Sequence, residues 1–304
     1  MTVETKTGIS SPTHLRRVFD ADPEEFHRQF NRASFEFHHR LVGHPLFELP
    51  RLLELARDTS RDRPKDLYYD AGNVRVDQRW DQTPRASFSV EEALERIENC
   101  GAWIILHKAD KDPEYAALLN QCMAELQTLI GLDLDRVMKV QEIILFVTSP
   151  LRVTSYHIDR ECNFLLQVRG EKTLSVFDQK DRIVLPEEEL ERFWSVDHNA
   201  AVHKPEHQNR AREYAMTPGT VVHIPVNAPH WVKNHDNVSI SVSVNFQFRD
   251  RMLANVYRAN YALRKLGLHP MPPGQSSLRD LLKSCAVEPA VWLKNVRHGK
   301  PPWS

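Results

Sequence analysis

The longest regular pattern in the chain is SISVSVNFQF at 239–248, which alternates without error over its whole length. Ile240, Val242, Val244, Phe246 and Phe248 fall on one face of a strand, and Ser239, Ser241, Ser243, Asn245 and Gln247 on the other. Shorter apolar runs predict further strands: AWIILH at 102–107, EIILFV at 142–147, FLLQV at 164–168, KTLSVF at 172–177 and TVVHI at 220–224. Phe35, Phe37 and Leu41 predict another within 33–42.

The pattern turns helical at both ends of this β-rich stretch. Asp22-Pro23-Glu24-Glu25 is a capped start with acids against the helix dipole, and that helix runs toward Arg32. Pro50 opens a short helix over LLELAR. Ser89 and Glu92 form a capping box for a helix ending near Cys100-Gly101. Asp112-Pro113-Glu114 starts a long amphipathic helix through Ile130, closed by Gly131. Within the charged 178–213 insert, Pro186 opens another short helix. Met252, Val256, Ala259, Leu263 and Leu266 keep helical spacing up to Gly267; Ser277 to Asp280 begins a further helix, and Glu288-Pro289 a last one through Val296. Residues 1–13 are polar and read as loose, and 59–86 reads as loop with a strand at 73–77.

The chain has 304 residues, enough for a large core, and its 41% hydrophobic and 27% charged content is that of an ordinary globular protein. A net charge of −1 gives no electrostatic footprint for nucleic acid or anionic membrane. No run is long enough to span a bilayer, and the N-terminus lacks a secretory apolar core. Cys100, Cys122, Cys162 and Cys285 have no paired spacing and read as reduced thiols in a cytoplasmic protein.

The candidate chemistry lies in TSYHIDRECNFLLQVRGEK, 154–172. His157 and Asp159 are two apart, so on a strand they point the same way, as neighbouring metal ligands must. His230, after the tight connection from Pro225 to Pro229, is the best third ligand. Two histidines and one carboxylate leave coordination positions open, the arrangement of non-haem Fe(II) oxygenases. Lys172 shares its strand face with Leu174 and Val176, and no acid lies on that face locally. A buried ammonium needs an anion, and a dicarboxylate cosubstrate would supply one. His198, His203 and His207 read as solvated loop histidines. His223 and His235 read as structural, with a pocket-facing role open to His223. Arg160 could meet an acidic substrate group or form an exposed salt bridge.

Thr154, His157, Asp159, Asn163-Phe164, Lys172, His230 and Asn245 together resemble the cupin-like, JmjC-type Fe(II)/2-oxoglutarate oxygenases. The spacings from Thr154 to Lys172 and from His230 to Asn245 are similar to those of the asparaginyl hydroxylase of hypoxia-inducible factor. The resemblance covers roughly 143–250 and implies a mainly β fold with flanking α: a double-stranded β-helix with N- and C-terminal helices. It implies Fe(II) on His157, Asp159 and His230, and 2-oxoglutarate held at its far carboxylate by Lys172 and Thr154. Asn163 and Asn245 would lie nearby. It also turns the polar face of 239–248 into the barrel. Thr154 has the wrong strand parity to join His157 unless the strand bends between them. The strand at 102–107 would sit beside the cosubstrate; in the hydroxylase it supplies an aromatic hydroxyl that helps bind 2-oxoglutarate, and here it has Trp103 and no tyrosine.

The implied division is 1–141 packing on the barrel, 142–250 as catalytic core, and 251–304 as C-terminal helices that either pair two subunits or cover their own barrel. The implied reaction is hydroxylation of a C–H in a protein, peptide or small molecule, with release of succinate and CO2. A metal cupin that does not use 2-oxoglutarate, and a non-catalytic cupin-like binding or regulatory module, are the alternatives.

Overall fold

The computed structural model describes residues 17–83 and 85–297, with backbone alone from 290 onward; the stretch 1–13 lies outside them. The strands in chain order are β1 (Phe19–Asp20), β2 (Phe35–His39), β3 (Leu67–Ala71), β4 (Ala102–Leu106), β5 (Met138–Thr148), β6 (Val153–His157), β7 (Cys162–Arg169), β8 (Lys172–Val176), β9 (Arg212–Met216), β10 (Thr220–Ile224), β11 (His230–Asn234) and β12 (Ser239–Phe248). The α-helices are α1 (Pro23–Gln29), α2 (Leu49–Asp62), α3 (Val90–Glu95), α4 (Pro113–Ile130), α5 (Leu134–Val137), α6 (Glu187–Ser195), α7 (Met252–Lys265) and α8 (Ser277–Arg297).

An eight-stranded sheet, β1-β2-β10-β7-β12-β5-β4-β3, faces a four-stranded sheet, β6-β11-β8-β9, in a double-stranded β-helix, or jelly roll. Every pairing is antiparallel. The segment before residue 142 supplies β1 to β4 of the large sheet. One face of that sheet is apolar. Val242, Val244 and Phe246 of β12 join Leu118, Leu126 and Ile130 of α4 in a single large core under the N-terminal helices. The other face looks into the barrel. There Ser239, Ser241, Ser243 and Asn245 are buried, so the polar side of the alternating strand faces inward. Between the sheets, Leu165, Leu174, Val222, Ile224 and Val232 form a smaller apolar cluster.

Local signals place most of the helices. Asp22 caps α1 by accepting from the Glu24 amide, and Asp112 caps α4 the same way from Glu114. Gly131 closes α4 at φ 72°, where the missing side chain makes a left-handed turn inexpensive. Other boundaries differ from the sequence reading. α2 extends to Asp62, well past LLELAR. Ser89 does cap α3, but the helix stops at Glu95 and tight turns carry the chain to Gly101. The strand expected at 73–77 lies instead at 67–71, where Leu67 to Ala71 pair with β4. The 73–77 stretch runs along the free edge of β6, with the Tyr156 amide donating to Val76 O. No break occurs at Glu288–Pro289: α8 continues through Pro289, which forfeits one amide donor but does not end the helix.

Candidate metal centre and adjoining pocket

His157 ends β6, Asp159 follows it in the loop, and His230 begins β11 directly opposite His157. Among the described residues these three form a group able to hold a metal, with ligand atoms within 4.8 Å of one another. Asp159 Oδ2 lies 3.6 Å from His230 Nε2 and 4.0 Å from His157 Nε2, and the two imidazole centroids are 4.1 Å apart.

Both histidines are oriented by their own strands. His157 Nδ1 donates to Ser155 O at 2.7 Å and His230 Nδ1 to Ala228 O at 3.0 Å. Each imidazole therefore carries its proton on Nδ1 and offers the Nε2 lone pair to the shared space. Burial lowers the pKa of His230 to about 4, with His157 pushing the same way, so this ring is neutral at pH 7. The turn that delivers His230 is tied to the loop that delivers Asp159. The Asn227 amide donates to Asp159 O at 3.0 Å, with Asn227 at φ 64°, a left-handed position that asparagine tolerates.

The three residues line one end of a cavity of about 510 Å³, counted out to its mouth. Lys172 lies at the other end, opposite Asn234 and four residues along β11 from His230, and is buried. Its ammonium donates to Ser241 Oγ, which donates to Gln167 Oε1 at 2.8 Å; Gln167 in turn donates to Ser239 Oγ at 2.9 Å. Among the described residues no carboxylate meets Lys172, and burial brings its pKa down to about 7. The polar face of β12 thus supplies neutral support beneath a cation.

Thr154 lines the same cavity. The register explains how. His230 pairs with His157 while Val232 pairs with Thr154, so β6 holds one more residue than β11 between the two pairs. That bulge cancels the parity mismatch and turns both side chains inward. Asn163 also lines the cavity and accepts from Ser243 Oγ at 2.7 Å. Asn245 lies opposite Asn163 on β12 and is buried against Ser243, behind the wall.

Six residues of the wall that pattern alone passed over are Phe146, Thr148, Leu165, Ile224, Val232 and Asn234. Asn234 shares strand parity with His230 and sits opposite Lys172, a signal that counting from His230 would have found. Trp103 stacks on Phe146 at 6.3 Å with rings 8° apart, and both face the cavity.

The remaining candidates lie elsewhere. His223 is on the far side of the sheet, wedged among Phe30, Phe35 and Phe164, with Nε2 accepting from the Asn31 amide at 2.9 Å. Burial lowers its pKa to about 3. His203 packs against Tyr156 and Trp231 outside the barrel. Arg160 packs against α6 in place of the exposed salt bridge expected for it. Its guanidinium lies over the Phe193 and Trp194 rings at 5.2 and 5.1 Å and donates to Phe193 O.

A cupin-like domain family model matches residues 53–252. The chain belongs to this family. No curated protein matches it in sequence. The chain is also similar in structure to YcfD of Escherichia coli. An X-ray structure of that protein superposes with a TM-score of 0.53 at 13% identity, covering 90% of this chain and 68% of the other. A second, described as the ribosomal oxygenase YcfD in complex with cobalt and 2-oxoglutarate, gives 0.51 at 15% identity, covering 90% and 67%. At these identities the likeness establishes the jelly-roll fold. No helix among the described residues is long and apolar enough to cross a membrane.

Proposed function

We propose that this cupin-like chain is an Fe(II)- and 2-oxoglutarate-dependent oxygenase that hydroxylates a C–H of a protein, peptide or small-molecule substrate. One observation carries the reading: a two-histidine, one-carboxylate cluster and a buried lysine with no counter-ion among the described residues occupy opposite ends of one cavity. The donor set suits Fe(II), since two imidazoles and a carboxylate leave three positions open for exchangeable ligands. When bound, the metal would supply oxidative decarboxylation of 2-oxoglutarate, giving succinate and CO2 and transferring oxygen to the substrate.

This chain's own residues then have distinct tasks. Ser155 O and Ala228 O hold the two imidazoles in the metal-binding tautomer. Lys172, with Thr154 across β11 on the same cavity wall, receives the far carboxylate of 2-oxoglutarate, so the keto acid end is directed toward the histidines. Asn163 lines the same cavity and accepts from the Ser243 hydroxyl, whose oxygen lies 2.7 Å from Asn245. The apolar wall of Leu165, Ile224 and Val232 keeps water from the reacting centre.

The description of a solved neighbour as a ribosomal oxygenase holding 2-oxoglutarate supports the class and a protein substrate. The motif spacing supports a relation to the asparaginyl hydroxylase group. A cytoplasmic setting is consistent with Cys100, Cys122, Cys162 and Cys285 all being free thiols. Exposed Leu278, Leu281 and Leu282 on α8 suit a homodimer built on the C-terminal helices.

Succinate formation from 2-oxoglutarate tests the reading, since uncoupled turnover needs no known substrate. It should require Fe(II) and O2 and vanish in His157→Ala and Asp159→Ala. Turnover that survives Asp159→Ala would remove the ligand assignment, and Fe(II)-independent or absent turnover would remove the class.

A further inference from the structure

We propose that Trp103, Tyr68 and Trp80 form a conduit that carries oxidising equivalents from the metal pocket to the protein surface. The inference rests on the oxygenase reading and adds a protective function to it.

Among the described residues Trp103 is the one tryptophan or tyrosine in the cavity wall, and so the wall's most readily oxidised side chain. Its ring meets Tyr68 edge-on at 6.0 Å, and Tyr68 meets Trp80 at 6.3 Å. Trp80 is 42% exposed, so the chain of rings leads from the pocket to solvent. The sheet fixes this order. Trp103 on β4 lies opposite Thr148 on one side and Asp70 on the other, and Tyr68 shares the inward parity of Asp70.

Tyr68 also has a built-in proton acceptor. Its hydroxyl donates to Asp70 Oδ2 at 2.9 Å, and Asp70 is buried and held by Arg152 through its other oxygen. A tyrosine cannot give up an electron readily unless its phenolic proton has somewhere to go, because the resulting radical cation is a strong acid. A buried carboxylate within hydrogen-bond distance meets that need. Packing alone would explain three touching aromatic rings. It does not call for a carboxylate on the middle ring or an exposed tryptophan at the end.

With no substrate in place, the two oxidising equivalents that a metal held by His157, Asp159 and His230 would draw from O2 and 2-oxoglutarate would be taken up by the Trp103 indole one electron at a time, two passages restoring the divalent metal. Trp103 recovers each electron from Tyr68 as the phenolic proton moves to Asp70. The Tyr68 radical then takes an electron from Trp80, and the proton returns from Asp70. The Trp80 radical cation is reduced by a solvent one-electron donor such as ascorbate. Without a donor it loses its indole proton and is oxygenated.

The experiment is uncoupled turnover of the Fe(II)-loaded chain with 2-oxoglutarate and catalase but no ascorbate, followed by peptide mass spectrometry. Oxygen should accumulate on Trp80 in step with succinate. In Tyr68→Phe, succinate should still form, Trp80 should escape oxidation, and the damage should move to Trp103. In the surface variant Trp80→Phe, damage should collect on Tyr68 and Trp103. Succinate formation that leaves wild-type Trp80 unmodified would overturn the conduit while sparing the oxygenase reading. So would equal Trp80 oxidation in wild type and Tyr68→Phe. Absence of succinate would remove both.

Discussion

Lys172 is the most informative single residue, because its burial serves binding at the expense of stability. In the ligand-free fold its pKa is lowered to about 7 by burial, whereas the unfolded chain would hold that proton up to roughly 10.4. Between those values the unfolded state binds more protons, so stability should rise with pH across the window, and the full penalty should apply below pH 7. Replacing the ammonium with an apolar side chain of similar length removes that penalty. Lys172→Met should therefore stabilise the ligand-free protein at pH 7 by about 1–4 kcal/mol, read from chemical denaturation. The same change should abolish measurable 2-oxoglutarate binding. The far carboxylate needs the charged form of the lysine, so wild-type affinity should hold steady below pH 7 and weaken above it. A destabilised Lys172→Met, or an affinity that strengthens with rising pH, would contradict this placing of the charge.

At the scale of elements, the turn joining β7 to β8 sets where Lys172 starts. Gly170 has φ 72°, and a Cβ there would stand 2.2 Å from Asn237 Oδ1 and 2.3 Å from Val238 O. Gly170→Ala should cost on the order of 1–3 kcal/mol, seen as a lower denaturation midpoint, and should weaken 2-oxoglutarate binding by shifting β8. The sequence made much of this scale legible. Asp22, Ser89 and Asp112 announce their helices, and the alternation of 239–248 announces β12. It could not say which face of β12 was wet, because that depends on Gln167 and Lys172 arriving from other strands. Nor could it show that Thr154 joins His157, because the bulge exists only in the pairing of β6 with β11. The strand at 67–71 was missed because Leu67 to Ala71 lacks strict alternation and is fixed by the open edge of β4. That Arg160 packs against rings and does not stand in an exposed salt bridge was not legible, because those rings lie in α6, more than thirty residues away.

Across the whole molecule, the buried Arg152–Asp70 pair links β3 at the edge of the large sheet to the start of β6 in the small one, with both side chains almost wholly enclosed. Arg152 also donates to Gly72 O. Arg152→Met should destabilise the fold by about 3–5 kcal/mol, since it strands a buried carboxylate. Asp70→Asn in the same chain should recover part of that loss in thermal melts, and strictly additive losses would show the two residues to be uncoupled.

Calorimetric titration of 2-oxoglutarate into the protein, with and without a divalent ion in place of iron, puts the shared cavity to its most direct test. Binding should appear only with metal in the wild type, should fail with metal in His157→Ala, and should weaken strongly in Lys172→Ala. Equal binding with and without metal, or unchanged affinity in Lys172→Ala, would show that the metal cluster and the buried lysine do not hold the two ends of one ligand.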